Sequence, residues 1–448
     1  MRNRMTRMLL VVALLLPLPL AAQTPAPLEY ETFTLDNGLK FIVLEDRSAP
    51  IVAVDVWYDV GSANEPAGRS GFAHLFEHML FQETEALGKG EFMNLIQEAG
   101  GTLNGTTNTD RTMYYEVVPS NRVNLALWME AERMGRLRVT DENFQREREV
   151  VKEERRMRVD NTPYTNGMLT LDTLHTDYRP YRHTVIGSMD DLNAATAADV
   201  MEFHRMYYGP NNATITLAGD ITLEQARQYA QEYFADIPRG PEPPQLPEPA
   251  AAPRTDGERR VTLEDRMAQV PMVLAAYTIP PHREADTYAL TLMSAILSRG
   301  QSSRLTQRLV REERAAVFAA SFLDSRNMGG YLGFQAQPTP NTDIAKLESL
   351  LWEEVEKLVR DGVTQEELDK VKRQTIAGQI MGSRQTVLGK AEMLQHSRML
   401  HGDLGAADRD LEEYEKVTTE DIVRVARKYL TPENRTVVTI VPATRPAT

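Results

Sequence analysis

The chain has 448 residues, a formal net charge of −14 at pH 7 and no cysteine. This length predicts two or three domains, and the composition of 42% hydrophobic and 25% charged residues is globular. The acidic balance argues against nucleic acid or an anionic membrane as a partner. The lack of cysteine excludes disulfides and thiolate metal ligands, so any metal must be held by His and carboxylates.

The first 22 residues have the pattern of a secretory signal peptide. Three arginines precede an apolar run at 8–20, and the tripeptide Leu-Ala-Ala at 20–22 is a typical cleavage site. A membrane anchor is the alternative, but Pro17 and Pro19 interrupt a run that is already short for a span. We therefore expect a periplasmic protein that leaves the membrane after cleavage of this segment. Thiol-free chains suit such an oxidising compartment.

Residues 28–238 are predicted to form an N-terminal domain. Alternating apolar residues on both sides of an Asp-Asn-Gly turn predict a β-hairpin over 31–44. The other predicted strands are 51–60, 112–118 and 213–217, and the predicted helices are 91–98, 121–135, 142–159 with Asp141 as its cap, 196–208 and 222–234. The polar segment 102–110 is predicted as an edge strand that could accept an extended peptide, or as a plain solvated hairpin.

A linker at 239–257, with six prolines, separates this domain from a second one at 258–448. The second domain is predicted to contain strands within 260–277, 317–323 and 331–337, and helices at 288–297, 302–314 and 344–360. It repeats the first at one constant offset: Thr196, Asp199, Tyr207, Pro210, Asn212 and Thr214 recur as Thr418, Asp421, Tyr429, Pro432, Asn434 and Thr436. We therefore predict an α+β fold of two homologous domains. Each has an antiparallel-rich sheet with helices on one face, and together they enclose a chamber.

The chemistry of the chain is concentrated in the segment Gly-Phe-Ala-His-Leu-Phe-Glu-His-Met-Leu-Phe at 71–81. On a helix, His74 and His78 lie one turn apart on the same face, and Glu77 projects from nearly the same side. Two imidazoles beside an acid–base group suit a catalytic zinc ion. The apolar flanking residues predict a buried helix, in which unpartnered His and Glu are costly, so a merely solvated polar face is disfavoured. The order His-x-x-Glu-His is that of the inverzincins.

A zinc site with two imidazoles needs a third protein ligand, and without cysteine a glutamate is the natural choice. Glu147 and Glu154 are seven residues apart on the predicted helix 142–159 and therefore share a face. Glu149 and Glu153 are rivals on other faces of the same helix. The second half contains no His-x-x-Glu-His, so the duplicate is expected to contribute shape and not chemistry.

With this motif and a downstream glutamate, the chain from Leu28 onward resembles the M16 metallopeptidases, also called the pitrilysin or insulinase family. It looks most like their bacterial processing-peptidase-like branch. The resemblance implies a zinc-dependent endopeptidase that cleaves extended peptides or unfolded segments between its two halves. The implied residues are zinc ligands His74, His78 and Glu154, catalytic base Glu77, a supporting Glu147, and substrate contacts Asn104 and Gly105.

One position departs from the family pattern. Arg311 matches an arginine that helps to bind substrate, but the tyrosine expected seven residues later is Phe318, which has no hydroxyl to donate to an oxyanion. The resemblance therefore implies either a homodimer with less transition-state help or a heterodimer in which a homologous M16 subunit supplies the Arg and Tyr. A non-catalytic peptide-binding or assembly subunit is a third alternative, disfavoured because all four residues of the zinc motif are kept.

Overall fold

The computed structural model describes residues 26–249 and 252–443. The predicted signal peptide lies outside these residues, so its structure is not described. Within the described ranges, no helix combines the length and apolar character needed to cross a membrane.

The first half of the chain is built on a twisted sheet with helices on one face. Its strands are β1 (Glu31–Thr34), β2 (Lys40–Glu45), β3 (Ile51–Tyr58), β4 (Thr102–Thr107), β5 (Thr112–Pro119) and β6 (Ala213–Gly219). Among the described residues these strands form one six-stranded sheet in the order β1-β2-β6-β3-β5-β4. All neighbouring pairs are antiparallel except β2–β6. The polar segment predicted as an edge strand or a hairpin is therefore an edge strand, since β4 pairs with β5 alone in the described chain.

The helices of this half are α1 (Phe72–Met79), α2 (Glu91–Glu98), α3 (Val123–Gly135), α4 (Asp141–Arg155), α5 (Thr165–Leu174), α6 (Met189–Ala194), α7 (Ala197–Tyr207) and α8 (Leu223–Phe234). One hydrophobic core joins one face of the sheet to α1, α3, α7 and α8. The helix α1, which carries the predicted metal motif, is thus packed inside the first half and held rigid by its neighbours.

The second half repeats this plan. Its strands are β7 (Arg259–Asp265), β8 (Met272–Ile279), β9 (Ala316–Asp324), β10 (Gly330–Pro338) and β11 (Arg435–Pro442). Its helices are α9 (Asp286–Ser298), a π-helix (Thr306–Glu312), α10 (Ile344–Asp361), α11 (Gln365–Gly382), α12 (Val387–His401), α13 (Ala406–Lys416) and α14 (Thr419–Tyr429). The described strands run in the order β7-β11-β8-β10-β9.

The predicted internal repeat is confirmed by the strand pairing. The parallel pair β7–β11 occupies the place of β2–β6, and the edge strand β9 occupies the place of β4. The repeated threonines have one role in both halves, since the Oγ of Thr196 and of Thr418 accepts the backbone N–H three residues later and caps the helix that follows.

The two halves cover the outer faces of each other's sheets. Leu394 on α12 packs with Ile42 and Ala218 of the first sheet. On the opposite side, Leu171 on α5 packs with Ile440 of the second sheet. A Cβ at Gly167 would lie 2.2 Å from Ile440, so α5 can approach β11 this closely because residue 167 has no side chain. Helices therefore flank both faces of each sheet.

Three details of the local predictions were wrong. The cap of α4 is Thr140 and not Asp141, because the Thr140 hydroxyl accepts the N–H of Asn143. The α-helical part of this segment ends at Arg155 and continues as a π-helix over Arg156–Asp160. The predicted helix 302–314 is likewise mainly the π-helix Thr306–Glu312. Apolar spacing does not separate α from π geometry over so few residues.

Candidate metal centre

The helix α1 is anchored at its N-terminus by a buried carboxylate. Glu65 accepts hydrogen bonds from the backbone N–H groups of Gly71 and Ala73, at 2.9 and 2.8 Å. Its Oε2 also lies 3.0 Å from Nε2 of His183. Burial raises the pKa of Glu65, and the hydrogen bond from His183 opposes that shift. A carboxylate at this end satisfies free N–H groups and faces the positive end of the helix dipole.

Three side chains from α1 and α4 converge on one point. Nε2 of His78 lies 3.2 Å from Oε2 of Glu154, and Nε2 of His74 lies 3.6 Å from the same oxygen. One donor atom from each of the three residues lies within 4.8 Å of the other two. In the described chain this is the one group of His, Asp and Glu close enough to hold a metal ion.

These distances fit a tetrahedral zinc ion. Ligands about 2.1 Å from zinc are separated by about 3.4 Å, which lies between the two separations seen here. Oε2 of Glu154 and Nδ1 of His74 are buried without a hydrogen-bond partner among the described residues. The other oxygen, Oε1 of Glu154, is held by Arg158 at 2.7 Å. A cation between the three residues would satisfy the orphaned carboxylate oxygen.

The electrostatics of the cluster favour neutral imidazole at one position and a charged carboxylate beside it. Burial, with a contribution from His78, lowers the pKa of His74 to about 4. The neighbouring imidazole of His78 lowers the pKa of Glu154. A neutral nitrogen and an ionised carboxylate are the protonation states in which these groups bind metals.

Glu77 lies beside the three converging residues and is oriented by the edge strand. Its Oε2 accepts a hydrogen bond of 2.6 Å from the hydroxyl of Thr107 on β4. Burial raises the pKa of Glu77, and the Thr107 hydrogen bond opposes the rise. A raised carboxyl pKa brings the group closer to neutral pH, where proton transfer in both directions is efficient.

One cavity of about 910 Å³ is lined by the three converging residues together with Glu77 and Thr107. Residues 103–107 of β4 form one wall, with the exposed Asn104 and the buried Gly105. A Cβ at Gly105 would lie 2.9 Å from Phe81, 3.1 Å from Tyr114 and 3.2 Å from Glu77. Residue 105 must therefore be glycine for the edge strand to lie this close to Glu77.

Glu147 also lines this cavity, two turns before Glu154 on α4. It is buried, and its Oε1 lies 3.3 Å from Nε of the neighbouring Arg146. Burial by itself lowers the pKa of His78, but the carboxylate of Glu154 raises it. The negative charge of Glu147 adds to that rise. The sequence-predicted residues of the first half are thus brought together in one place.

Arg311 is not brought to this cavity. It is exposed on the π-helix of the second half, where its guanidinium donates to Gln301 at 2.9 Å. Phe318 on β9 packs against the hydrophobic cluster around Leu171 and Tyr331. The residues that line the cavity all lie between 74 and 158. The described part of the second half thus contributes no side chain to the lining of this cavity.

Sequence reasoning missed Thr107 and Glu65. Thr107 is one of several small polar residues in β4, and nothing in its spacing marks it as the partner of Glu77. Glu65 lies in an irregular loop six residues before Gly71, outside any helical periodicity. Both contacts depend on tertiary packing and leave no pattern in the local sequence.

Comparison with known proteins agrees with this geometry. The family described as Insulinase (Peptidase family M16) matches residues 40–182, and the Peptidase M16 inactive domain matches residues 194–375. A zinc protease of Helicobacter pylori, named PqqE, is 32% identical over 428 residues, with 94% of each chain covered.

Solved structures show the same architecture. The crystal structure of a protease from Helicobacter pylori superposes with a TM-score of 0.87 at 30% identity, covering 93% of this chain and 100% of that one. A peptidase M16 inactive domain from Pseudomonas fluorescens, 19% identical, shares the fold with a TM-score of 0.82, covering 93% of this chain and 98% of that one. With full-length similarity above 30% identity and both family profiles matched, the chain belongs to the M16, or insulinase, family of peptidases.

Proposed function

We propose that the protein is a zinc-dependent endopeptidase that hydrolyses extended peptides or unfolded segments. The observation that carries this proposal is the convergence of His74, His78 and Glu154 beside Glu77, in one cavity with a free sheet edge. When bound there, zinc supplies a water of lowered pKa and a positive charge for the developing oxyanion. The names of the similar zinc proteases support this metal.

In this proposal β4 binds the substrate as an added antiparallel strand. Its outer edge is unpaired in the described chain, so its backbone groups can bond an extended peptide. Asn104 and Gly105 lie where such a peptide would pass Glu77. Glu77 accepts the proton of the attacking water and donates it to the leaving amine. Glu147 supports the site by its negative charge, which acts on His78.

Metal content and peptide cleavage test this function together. We expect the purified protein to retain zinc, to lose cleavage of an unfolded peptide when a chelator removes the metal, and to recover with added zinc. Glu154→Gln should lose zinc on desalting and lose cleavage, because one of three ligands is removed. Glu149→Gln is the matched control, since this exposed residue on the same helix pairs, among the described residues, only with Arg148 and Lys152. Full cleavage by zinc-free protein would refute the proposal.

Substitution of Gly105 tests the role of the edge strand. Gly105→Ala should lower kcat/KM by roughly 10- to 100-fold, because the added methyl would displace β4 or Glu77 by a fraction of an ångström or more. Zinc content should not change. Gly88→Ala is the control, because its Cβ would meet only Glu91 at an ordinary 3.5 Å. Equal kcat/KM values for both variants would show that β4 does not position the substrate.

A second candidate is that activity requires a homologous partner chain, as a homodimer or as a heterodimer in which the partner supplies an Arg and a Tyr. Two observations favour this candidate. Arg311 does not reach the cavity, and exposed apolar side chains line it, among them Met93, Val150 and Met157. Light scattering and cleavage measured over a dilution series distinguish the two cases. Undiminished specific activity of a monomer would exclude the requirement for a partner.

We also propose periplasmic export, which rests on residues 1–22 alone.

A further inference from the structure

A second cavity lies where the two halves of the chain meet. It has a volume of about 370 Å³, within the range of small-molecule sites. The first half contributes Trp57, Asn108 and Arg111 to its wall, and the second half contributes the remainder, mainly from α12, α13 and α9. Neither the proposed zinc chemistry nor the peptide edge uses this space.

The charged group that the first half places in this cavity is Arg111. Its Nη1 donates to the carbonyl and the hydroxyl of Thr106, at 2.9 and 2.6 Å, and its guanidinium stacks over Trp57 at 4.8 Å. Its Nε is buried without a partner. Among the described residues, no carboxylate oxygen lies within 4.0 Å of the guanidinium. A largely buried guanidinium of this kind calls for an anion.

Three imidazoles of the second half line the same cavity. His282 and His401 contact each other edge to face at 5.3 Å, and His396 packs against Trp57 at 4.8 Å. Nδ1 of His282 is paired with the Ser325 hydroxyl at 2.8 Å. Imidazole rings, each able to donate one N–H, thus line this cavity together with Arg111.

Carboxyl groups near the cavity are partly committed elsewhere. Asp410 accepts the Tyr288 hydroxyl at 2.6 Å and lies 3.8 Å from His401. Asp55, behind Trp57, accepts the indole N–H at 2.9 Å, and burial raises its pKa well above its usual range. Burial also raises the pKa of Glu392, which Arg111 opposes. These groups moderate the positive charge of Arg111 without pairing with it.

We propose that this interdomain cavity is a binding site for a small organic monocarboxylate, with Arg111 as its anchor. Leu323, Met393 and Leu400 supply apolar walls for the carbon chain of such a ligand. Arginine binds carboxylates through planar, charge-assisted hydrogen bonds. The apolar walls favour a ligand with a hydrophobic tail over inorganic phosphate. Burial lowers the pKa of His282 and of His396 to about 4, so neither imidazole adds a positive charge to that of Arg111 at pH 7.

Calorimetric titration of the zinc-loaded protein with N-acetyl-leucine tests the site. We expect saturable binding at one site per chain, and at least 10-fold weaker binding of N-acetyl-leucinamide, which has no charge, and of inorganic phosphate. Arg111→Gln should weaken binding of N-acetyl-leucine by about 10- to 100-fold. His396→Phe, which keeps the ring packed on Trp57 but removes its donor, should weaken it as well. Direct binding is the readout because Arg111 also holds Thr106.

Two controls separate this site from the zinc centre and from general loosening of the halves. Arg398→Gln breaks an ion pair with Asp59 across the two halves, outside this cavity, and should leave binding unchanged. His78→Ala should also leave binding unchanged, because His78 does not line this cavity. A carboxylate that bound at the zinc site would instead lose affinity in this variant. Any of three results would overturn the proposal. Binding could disappear in His78→Ala, it could survive in both Arg111→Gln and His396→Phe, or the amide or phosphate could bind as tightly as N-acetyl-leucine.

Discussion

Glu77→Gln is expected to leave the zinc content unchanged and to lower kcat for peptide cleavage by about 10²- to 10⁴-fold. Glutamine keeps the shape of the side chain and can still contact Thr107, but its amide cannot take a proton from water or deliver one to the leaving amine. The three residues that converge on the metal position are not altered. Zinc analysis and steady-state kinetics on the same preparation check both halves of this expectation.

The matched control for this change is Glu153→Gln. Glu153 lines the same cavity but is mostly exposed and pairs with Arg156 at 2.8 Å. Its kcat should stay within about twofold of the wild type, since an exposed ion pair contributes little. If Glu77→Gln cleaved peptides at the wild-type rate in a preparation free of other proteases, Glu77 would not be the general base.

Arg133→Met is expected to lower the free energy of unfolding of the first half by about 3–5 kcal/mol. Arg133 is fully buried, with its guanidinium 3.3 Å from Glu130 and 3.5 Å from Glu116. It also lies over the rings of Tyr114, Phe81 and Phe92, at 4.2, 4.8 and 4.8 Å. Burial and the charge of Glu130 raise the pKa of Glu116 well above its usual range, and the guanidinium of Arg133 opposes that rise.

The reason for this large effect is that methionine would leave the buried carboxyl groups of Glu116 and Glu130 without the cation beside them. Glu130→Gln combined with Arg133→Met should therefore recover a large part of the loss, which a double-mutant cycle on urea unfolding curves would measure. Arg227→Met is the control, since this exposed arginine stacks on Phe33 at 4.5 Å and should change stability by no more than about 0.5 kcal/mol. A loss at position 133 no larger than at 227 would contradict the assigned role.

Much of the fold followed from local patterns. The hairpin around Gly38, the helix Glu91–Glu98 and the helix that begins after Thr196 appear where turn residues and apolar period predicted them. Side-chain periodicity and cap chemistry act over only a few residues and are therefore legible in one sequence. The edge position of β4 was one of two readings, because polar, small residues suit an edge strand and a solvated hairpin equally well.

The metal cluster was predictable to the extent that its geometry is local. His74, Glu77 and His78 share one helix face by spacing alone, whereas Glu154 could be chosen over Glu147, Glu149 and Glu153 only by resemblance to a family. In the structure, Glu154 lies 3.2 Å from His78 because α4 packs against α1, a contact between residues 76 positions apart. For Arg311 the resemblance to the family was not matched by the packing. The resemblance implied a contact with substrate, but in the structure Arg311 lies on the surface of the second half and donates to Gln301.

The sequence by itself determined the residue types of the zinc motif, the duplication and the sheet-and-helix content, because these depend on spacings of a few residues or on a repeat at constant offset. Only the tertiary structure decided that Thr107 orients Glu77, that Glu65 caps α1, and that α5 and α12 cross onto each other's sheets. The physical reason is that these contacts join surfaces whose partners are distant in the chain. They are selected by packing and burial of the whole molecule, for which no short stretch carries a signal.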